Sequence, residues 1–192
     1  TQQDREVIIS SLDNLRKLGT KAWVGFSFPW ASCMEARAGR ADEALQYLDI
    51  YVNAFTSPNG FNLNGDQSGK GYSALTYRPF TLEANFGAAQ AVHEMLLQSW
   101  GGKIRIFPAV PSEWKDVNFR DLRSEGGFII SAERKEGKTI SVRIKASVDG
   151  ELILKDPFNG IPIRWNRKTI RVIDGSYVCK MKAGDELAGN SY

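Results

Sequence analysis

In the first half of the chain apolar residues recur every three to four positions, and in the second half every two. The first spacing lines one face of a helix, the second one face of a strand. Between Asp4 and Leu18 the helical period is carried by Val7, Ile8, Leu12 and Leu15, and Gly19 ends the run. No other segment is an obvious partner for this first helix. Ser27 to Arg40 predicts a second, opened by Ser27 with Pro29 in its first turn. Ala41 to Phe55 predicts a third, periodic in Ala44, Leu45, Leu48, Ile50, Tyr51 and Val52. Phe86 to Trp100 predicts a fourth, with Ala89, Val92, Met95 and Leu96 on its apolar side and Gly101-Gly102 after it.

Beyond Gly101 the texture is that of strands. Ile104-Arg105-Ile106 alternates, Phe128 to Ala132 is apolar, and Ile140, Val142 and Ile144 alternate with polar residues. Glu136-Gly137 separates the last two runs as a hairpin turn does, and Asp149-Gly150 predicts another hairpin before Leu152 to Leu154. Ile161-Pro162-Ile163 is short and interrupted by proline, which suits a sheet edge. Ile170 and Val172 alternate, Asp174-Gly175 turns, and Tyr177 to Met181 follows. Helices first and strands afterwards predict an α+β chain in two parts, 1–102 and 103–192.

Between the third and fourth helices lies a long polar loop, Thr56 to Tyr77, holding Pro58-Asn59-Gly60, Asn62, Asn64-Gly65-Asp66 and Gly69. A loop of this length inside a folded domain is either functional or disordered.

Composition narrows the classes. A chain with 42% hydrophobic and 24% charged residues is globular. No stretch approaches the roughly 18–20 apolar residues that cross a bilayer, so no membrane insertion is expected. Charge is unevenly spread: residues 101–192 hold 17 Lys and Arg against 12 Asp and Glu, and residues 1–100 hold 8 against 10. A basic β-domain could meet nucleic acid, but no RNA-binding or helix-turn-helix motif accompanies the charge, and a solvated strand face accounts for it. Cys33 and Cys179 lie far apart and show no Cys/His spacing, so neither zinc nor another cofactor is expected. Phosphate-loop and serine-esterase motifs are absent as well. His93, mid-helix beside Glu94, reads as structural or exposed.

The densest candidate chemistry is Tyr77-Arg78-Pro79-Phe80-Thr81-Leu82-Glu83-Ala84-Asn85-Phe86-Gly87. Glu83 precedes the fourth helix, where the helix dipole favours a carboxylate. The simplest reading is an N-terminal helix charge with Asn85 as the N-cap. The alternative is a sugar site, since Tyr77, Phe80 and Phe86 could cover a C–H surface while carboxylate and amides bond hydroxyls. Trp30 could stack on a sugar or fill the core, and Trp23 suits the core better. Trp100 and Trp114 read as packing residues.

Glu83-Ala84-Asn85-Phe86-Gly87 followed by Glu94-Met95-Leu96-Leu97-Gln98-Ser99 resembles the segment near the barrel's end in glycoside hydrolase family 95, which contains α-L-fucosidases and α-L-galactosidases. Trp30, the run Ala36-Arg37-Ala38-Gly39-Arg40-Ala41-Asp42-Glu43-Ala44, and downstream Phe107-Pro108-Ala109-Val110-Pro111-Ser112-Glu113-Trp114, Leu122-Arg123 and Gly126-Gly127-Phe128 extend the resemblance to about residues 20–155. It implies the last helices of an (α/α)₆ barrel followed by a β-sandwich-like domain. It implies an inverting mechanism with two carboxyl groups roughly 6.5–9.5 Å apart. It also implies a terminal α-linked L-fucose, L-galactose or related sugar as substrate, and a periplasmic or extracellular location.

On that resemblance Glu83 stands where the family has its base-side aspartate, one methylene longer. Tyr77 stands for a histidine and Arg78 for a proline, and both would shape the pocket rim. Asn85 would bond a hydroxyl or fix the Glu83 loop, and Asn62, Asn64 and Asp66 could reach the sugar. The family's general acid and water-holding asparagines match nothing here, so the isolated chain is expected to be inactive. Four helices do not close a twelve-helix ring, so the chain is expected to meet the remainder of a barrel or to self-associate. A non-catalytic carbohydrate-binding module and a purely structural piece are the competing readings.

Overall fold

The computed structural model describes residues 1–167 and 169–191. The chain divides into two compact units, Thr1–Met95 and Leu96–Tyr192. The described residues form a mixed α+β chain with four α-helices and several antiparallel sheets.

The first unit begins with α1 (Gln2–Leu18). Thr1 starts it through a capping box, its side chain accepting from the Asp4 backbone while the Asp4 carboxylate turns back to the Thr1 backbone. Of the four apolar positions that mark this helix, Leu12 is buried, whereas Val7 is 61% and Ile8 51% exposed. The helix does have a partner, contrary to the sequence expectation, and the link is ionic. Arg40 pairs with Asp13 of α1 at 2.6 Å and with Glu35 at 3.0 Å, and Arg16 approaches Glu35 at 3.8 Å. Hydrophobic periodicity carries no trace of such a contact.

Glu35 lies in α2 (Ser27–Ala38), which Gly39 ends in the left-handed conformation, two residues before the sequence boundary. α3 (Ala41–Ala54) follows that tight turn, packs against α2 and buries Ala44, Tyr47, Leu48, Tyr51 and Ala54. The core of this unit is aromatic. Phe28 sits 4.5 Å centroid to centroid from Phe55 and 5.2 Å from Trp23, and Trp23 lies 5.6 Å from Tyr47. Each such ring fully removed from water contributes about 1.5–3 kcal/mol. Trp23 is therefore a core residue, as its setting predicted.

The long loop holds two short strands, β1 (Asn62–Leu63) and β2 (Phe80–Thr81), paired antiparallel. They lead to α4 (Glu83–Leu96). This helix starts three residues before, and ends four residues before, the expected Phe86–Trp100. Asn85 is therefore inside the helix and is not its N-cap. The C-terminal end moves because Leu97 and Gln98 form β3 (Leu97–Gln98) and pair with β4 (Arg105–Ile106).

The second unit contains β5 (Val117–Ser124), β6 (Phe128–Lys135), β7 (Lys138–Ala146), β8 (Gly150–Lys155), β9 (Ile163–Trp165), β10 (Arg171–Ile173), β11 (Ser176–Met181) and β12 (Glu186–Ser191). Five form a sheet in the order β5-β6-β7-β12-β9 and three form another in the order β10-β11-β8. One apolar cluster draws on both, with Ile130, Ile144 and Leu187 from the larger sheet and Leu152, Leu154, Cys179 and Met181 from the smaller. Glu136-Gly137 and Asp174-Gly175 are the hairpin turns expected, each with two successive positive φ values. Asp149-Gly150 is not one. β8 pairs with β11 instead of β7, so the chain leaves one sheet at this point and enters the other.

Candidate functional site

Glu83 is the first residue of α4 and is exposed, with the helix dipole behind it. The start of α4 lies against the start of α2. A methyl group at Gly87 would come within 3.2 Å of Pro29 Cβ and 3.7 Å of the Phe26 ring, so glycine permits the approach. The Gly87 carbonyl also receives the Cys33 thiol at 3.8 Å. Burial pushes that thiol up to about 11, with Glu94 adding to the effect and Arg37 opposing it. Cys33 is thus a neutral packing group.

Asn85, two residues into the helix, fastens the long loop to it. Its side-chain oxygen accepts from the Asn62 backbone N–H at 2.9 Å, and its amide donates to the Gly60 carbonyl at 2.7 Å. Asn62 is fully buried, and its amide donates to Thr81 Oγ1 at 2.6 Å. Asn64 acts through its backbone: its carbonyl accepts from Gly25 and its N–H donates to Pro79. Tyr77 is 44% exposed, and its carbonyl receives the Gly65 N–H. Arg78 is exposed beside it. Trp30 is exposed on the first turn of α2.

The structure thus joins Asn62, Asn64, Tyr77 and Asn85 through the hydrogen bonds of the loop, and Glu83 opens the helix that Asn85 belongs to. Trp30 stands on the neighbouring helix. Around them Phe26, Phe61, Phe80, Leu82 and Phe86 are all exposed, with Phe61 and Phe80 in an edge-to-face pair at 5.2 Å. So many exposed large apolar side chains in one unit mark a contact or binding surface.

The sequence offered Asp66 only as a loop residue within reach of a sugar, whereas in the structure its carboxylate is engaged inside the loop. Asp66 organises the loop from within. Its carboxylate accepts from the Ser68 N–H at 2.8 Å, the Ser68 hydroxyl at 2.6 Å and the Tyr72 N–H at 2.8 Å. Burial raises its pKa, but these hydrogen bonds, led by Ser68, outweigh burial and leave it below the ordinary aspartate value. The run Asn64-Gly65-Asp66 reads as a turn, which is the only hint of this role. Further along α4, Glu94 is buried and pairs with Arg37 of α2 at 2.6 Å, while Gln90 donates to the same carboxylate at 3.0 Å.

Chemically, an exposed carboxylate at a helix start, flanked by rings and by a bonded loop, can accept a proton from a water or bind a hydroxyl. Residues 98–185 match the family model described as glycoside hydrolase family 95, C-terminal domain. Over 127 residues the chain is 30% identical to alpha-L-fucosidase 2 of Arabidopsis thaliana, which covers 66% of this chain and 15% of that relative. Over 118 residues it is 28% identical to "Probable alpha-fucosidase A" of Aspergillus niger, covering 56% of this chain and 14% of that relative. The chain therefore spans only a small part of the length of the relatives it matches. A family 39 glycoside hydrolase from Bacteroides cellulosilyticus WH2 aligns with 84% of this chain and 30% of its own, at 12% identity and a TM-score of 0.32, too slight a likeness to carry an argument.

Proposed function

For a chain that belongs to glycoside hydrolase family 95, in its C-terminal portion, we propose that Glu83 is the water-activating base of an inverting hydrolase. The four helices are then the last of an (α/α)₆ barrel and the second unit is its β-sandwich-like cap. The parent acts on glycans carrying terminal α-linked L-fucose, L-galactose or a related sugar, outside the cytoplasm.

The observation that supports this most is the setting of Glu83. A base must come within hydrogen-bond reach of its water and stay there. Glu83 opens α4, and Asn85 bonds that helix start to the loop at 2.9 and 2.7 Å. The carboxylate takes a proton as water attacks the anomeric carbon. Asn85 positions it by holding the loop, and Tyr77 and Arg78 form the rim. Asn62 supports the loop from inside. The general acid is supplied by the rest of the barrel, so the isolated chain is inactive.

In the parent enzyme, Glu83→Gln should lower kcat by about 10²–10⁴-fold while leaving the melting temperature nearly unchanged. A near-normal rate refutes the assignment. Glycosidase turnover by the 192-residue chain alone would refute the need for a group outside it.

A further inference from the structure

The second unit carries a feature that lies outside the Glu83 reading and does not rest on it. The five-stranded sheet turns Ile130, Ile144 and Leu187 towards the apolar cluster, so the residues alternating with them form its other face. Two rows cross that face. Ser131 stands opposite Arg143, and Arg143 opposite Ala188; Asn118 stands opposite Glu133, Glu133 opposite Ser141, and Ser141 opposite Asn190. Among longer neighbours Ser131, Ser141 and Ala188 are short, and this face holds a recess of about 390 Å³.

A bulge in β5 between Phe119 and Leu122 brings Arg120 to the rim. Asp121, within the bulge at φ 55°, donates its N–H to Ser131 Oγ at 3.0 Å, and the same hydroxyl lies 3.3 Å from its carboxylate. Arg120 on β5 and Arg143 on β7 therefore flank β6 from either side. Their backbones are about 10 Å apart, two strand spacings, within the span of two guanidiniums closing on one anion.

The charges are left poised for a ligand. Glu133 is engaged by Lys135 at 3.2 Å. Arg120 and Arg143 make no ion pair among the described residues, so no carboxylate of the described chain neutralises either guanidinium. The excess of 17 basic over 12 acidic residues in 101–192 adds to the local field. Guanidinium forks suit carboxylate and sulfate oxygens. The amides of Asn118 and Asn190 and the hydroxyls of Ser131 and Ser141 suit sugar hydroxyls. No aromatic side chain lines the recess, so it offers neither a stacking face for a neutral sugar nor a platform for nucleic-acid bases.

We propose that this recess binds an acidic sugar within a polysaccharide, with Arg120 and Arg143 holding its carboxylate or sulfate. The test is calorimetric titration of the full 192-residue chain with polygalacturonate, dextran sulfate, neutral dextran and duplex DNA. At least one acidic polysaccharide should bind tenfold or more tighter than dextran, and which one does so identifies the oxyanion. Arg120→Gln and Arg143→Gln should each weaken that binding at least tenfold. Arg171→Gln, which removes an exposed arginine paired with Glu151 on the other sheet, should leave it unchanged. Arg143→Lys, which keeps the charge and loses the fork, should fall between, and it serves in place of Arg143→Gln if that variant melts early. Equal binding of dextran, equal loss in Arg171→Gln, or binding of DNA without either acidic polysaccharide overturns the proposal.

Discussion

Replacing Asn85 by alanine tests whether this residue latches the loop to α4. The side chain makes two hydrogen bonds, accepting from the Asn62 N–H at 2.9 Å and donating to the Gly60 carbonyl at 2.7 Å. The two losses differ in kind. Asn62 is fully buried, so its N–H would be left without a partner, at a cost of about 1–3 kcal/mol. Gly60 is exposed, so water replaces the lost donor and the net loss is about 0.5–1.5 kcal/mol. Together they destabilise the closed loop by about 1.5–4.5 kcal/mol, a roughly 10- to 1,500-fold rise in its opening at about 1.4 kcal/mol per decade. Hydrogen exchange read at the Asn62 amide measures this directly, because that amide's hydrogen bond is the one removed. Asn85→Asp keeps the acceptor and loses only the donor, so its effect should be markedly smaller. An unchanged Asn62 exchange rate in Asn85→Ala would refute the latch.

Asp66 predicts a pH dependence of the same loop. Its folded pKa is depressed, so its contribution is complete above the unfolded value of about 3.9 and is lost as pH falls through the lower folded value. In urea melts, the stability gap between the native chain and Asp66→Asn should be constant near neutrality and narrow below about pH 4; a gap constant down to about pH 2.5 contradicts it. Gly65→Ala should disrupt the loop outright, because the added methyl would run into the Tyr77 carbonyl and the Thr76–Tyr77 peptide, which is backbone and cannot swing aside. Its melting temperature should fall further than that of Gly69→Ala, where the added methyl meets no neighbour and carries only the strain of a left-handed backbone at φ 71°, and equal effects would show that the close approach is unimportant. In the parent enzyme, Glu83→Asp should cut kcat by about 10²-fold with KM little changed, and a rate at or above the native one would place the water nearer the helix than the glutamate reach requires.

The parts of the fold legible in the sequence are those in which side-chain period and burial coincide. β7 reads cleanly because Val142, Ile144 and Ala146 are buried on one face between exposed Arg143 and Lys145. β5 does not, because its bulge shifts the period between Phe119 and Leu122 and spoils the alternation. β12 holds one large apolar residue, Leu187, and depends on Gly189, where an added methyl would meet the Trp165 ring at 2.6 Å. Its place beside β7 is therefore tertiary information that no local pattern carries. In the candidate site, Glu83 and Asn85 stood out because they sit in a dense motif. The residues that hold them act through backbone groups, as Gly25 does with Asn64 and Gly65 with Tyr77, and a backbone hydrogen bond leaves no mark on residue identity beyond a glycine.

That division bears on the length of the Glu83 side chain. The resemblance places an aspartate at this position in family 95, and a longer glutamate could be accommodated if the helix start withdrew by the length of one carbon–carbon bond. Two features oppose withdrawal. Gly87 is already in close contact with α2, since even a methyl there would reach Pro29 Cβ at 3.2 Å, and Asn85 ties the same turn to Gly60 and Asn62. With the backbone fixed from both sides, the extra methylene goes outward into the open surface. The carboxylate then reaches further from α4 than an aspartate would. Under the proposed function, the substitution acts on the depth at which the attacking water is held and leaves the architecture that presents it unchanged.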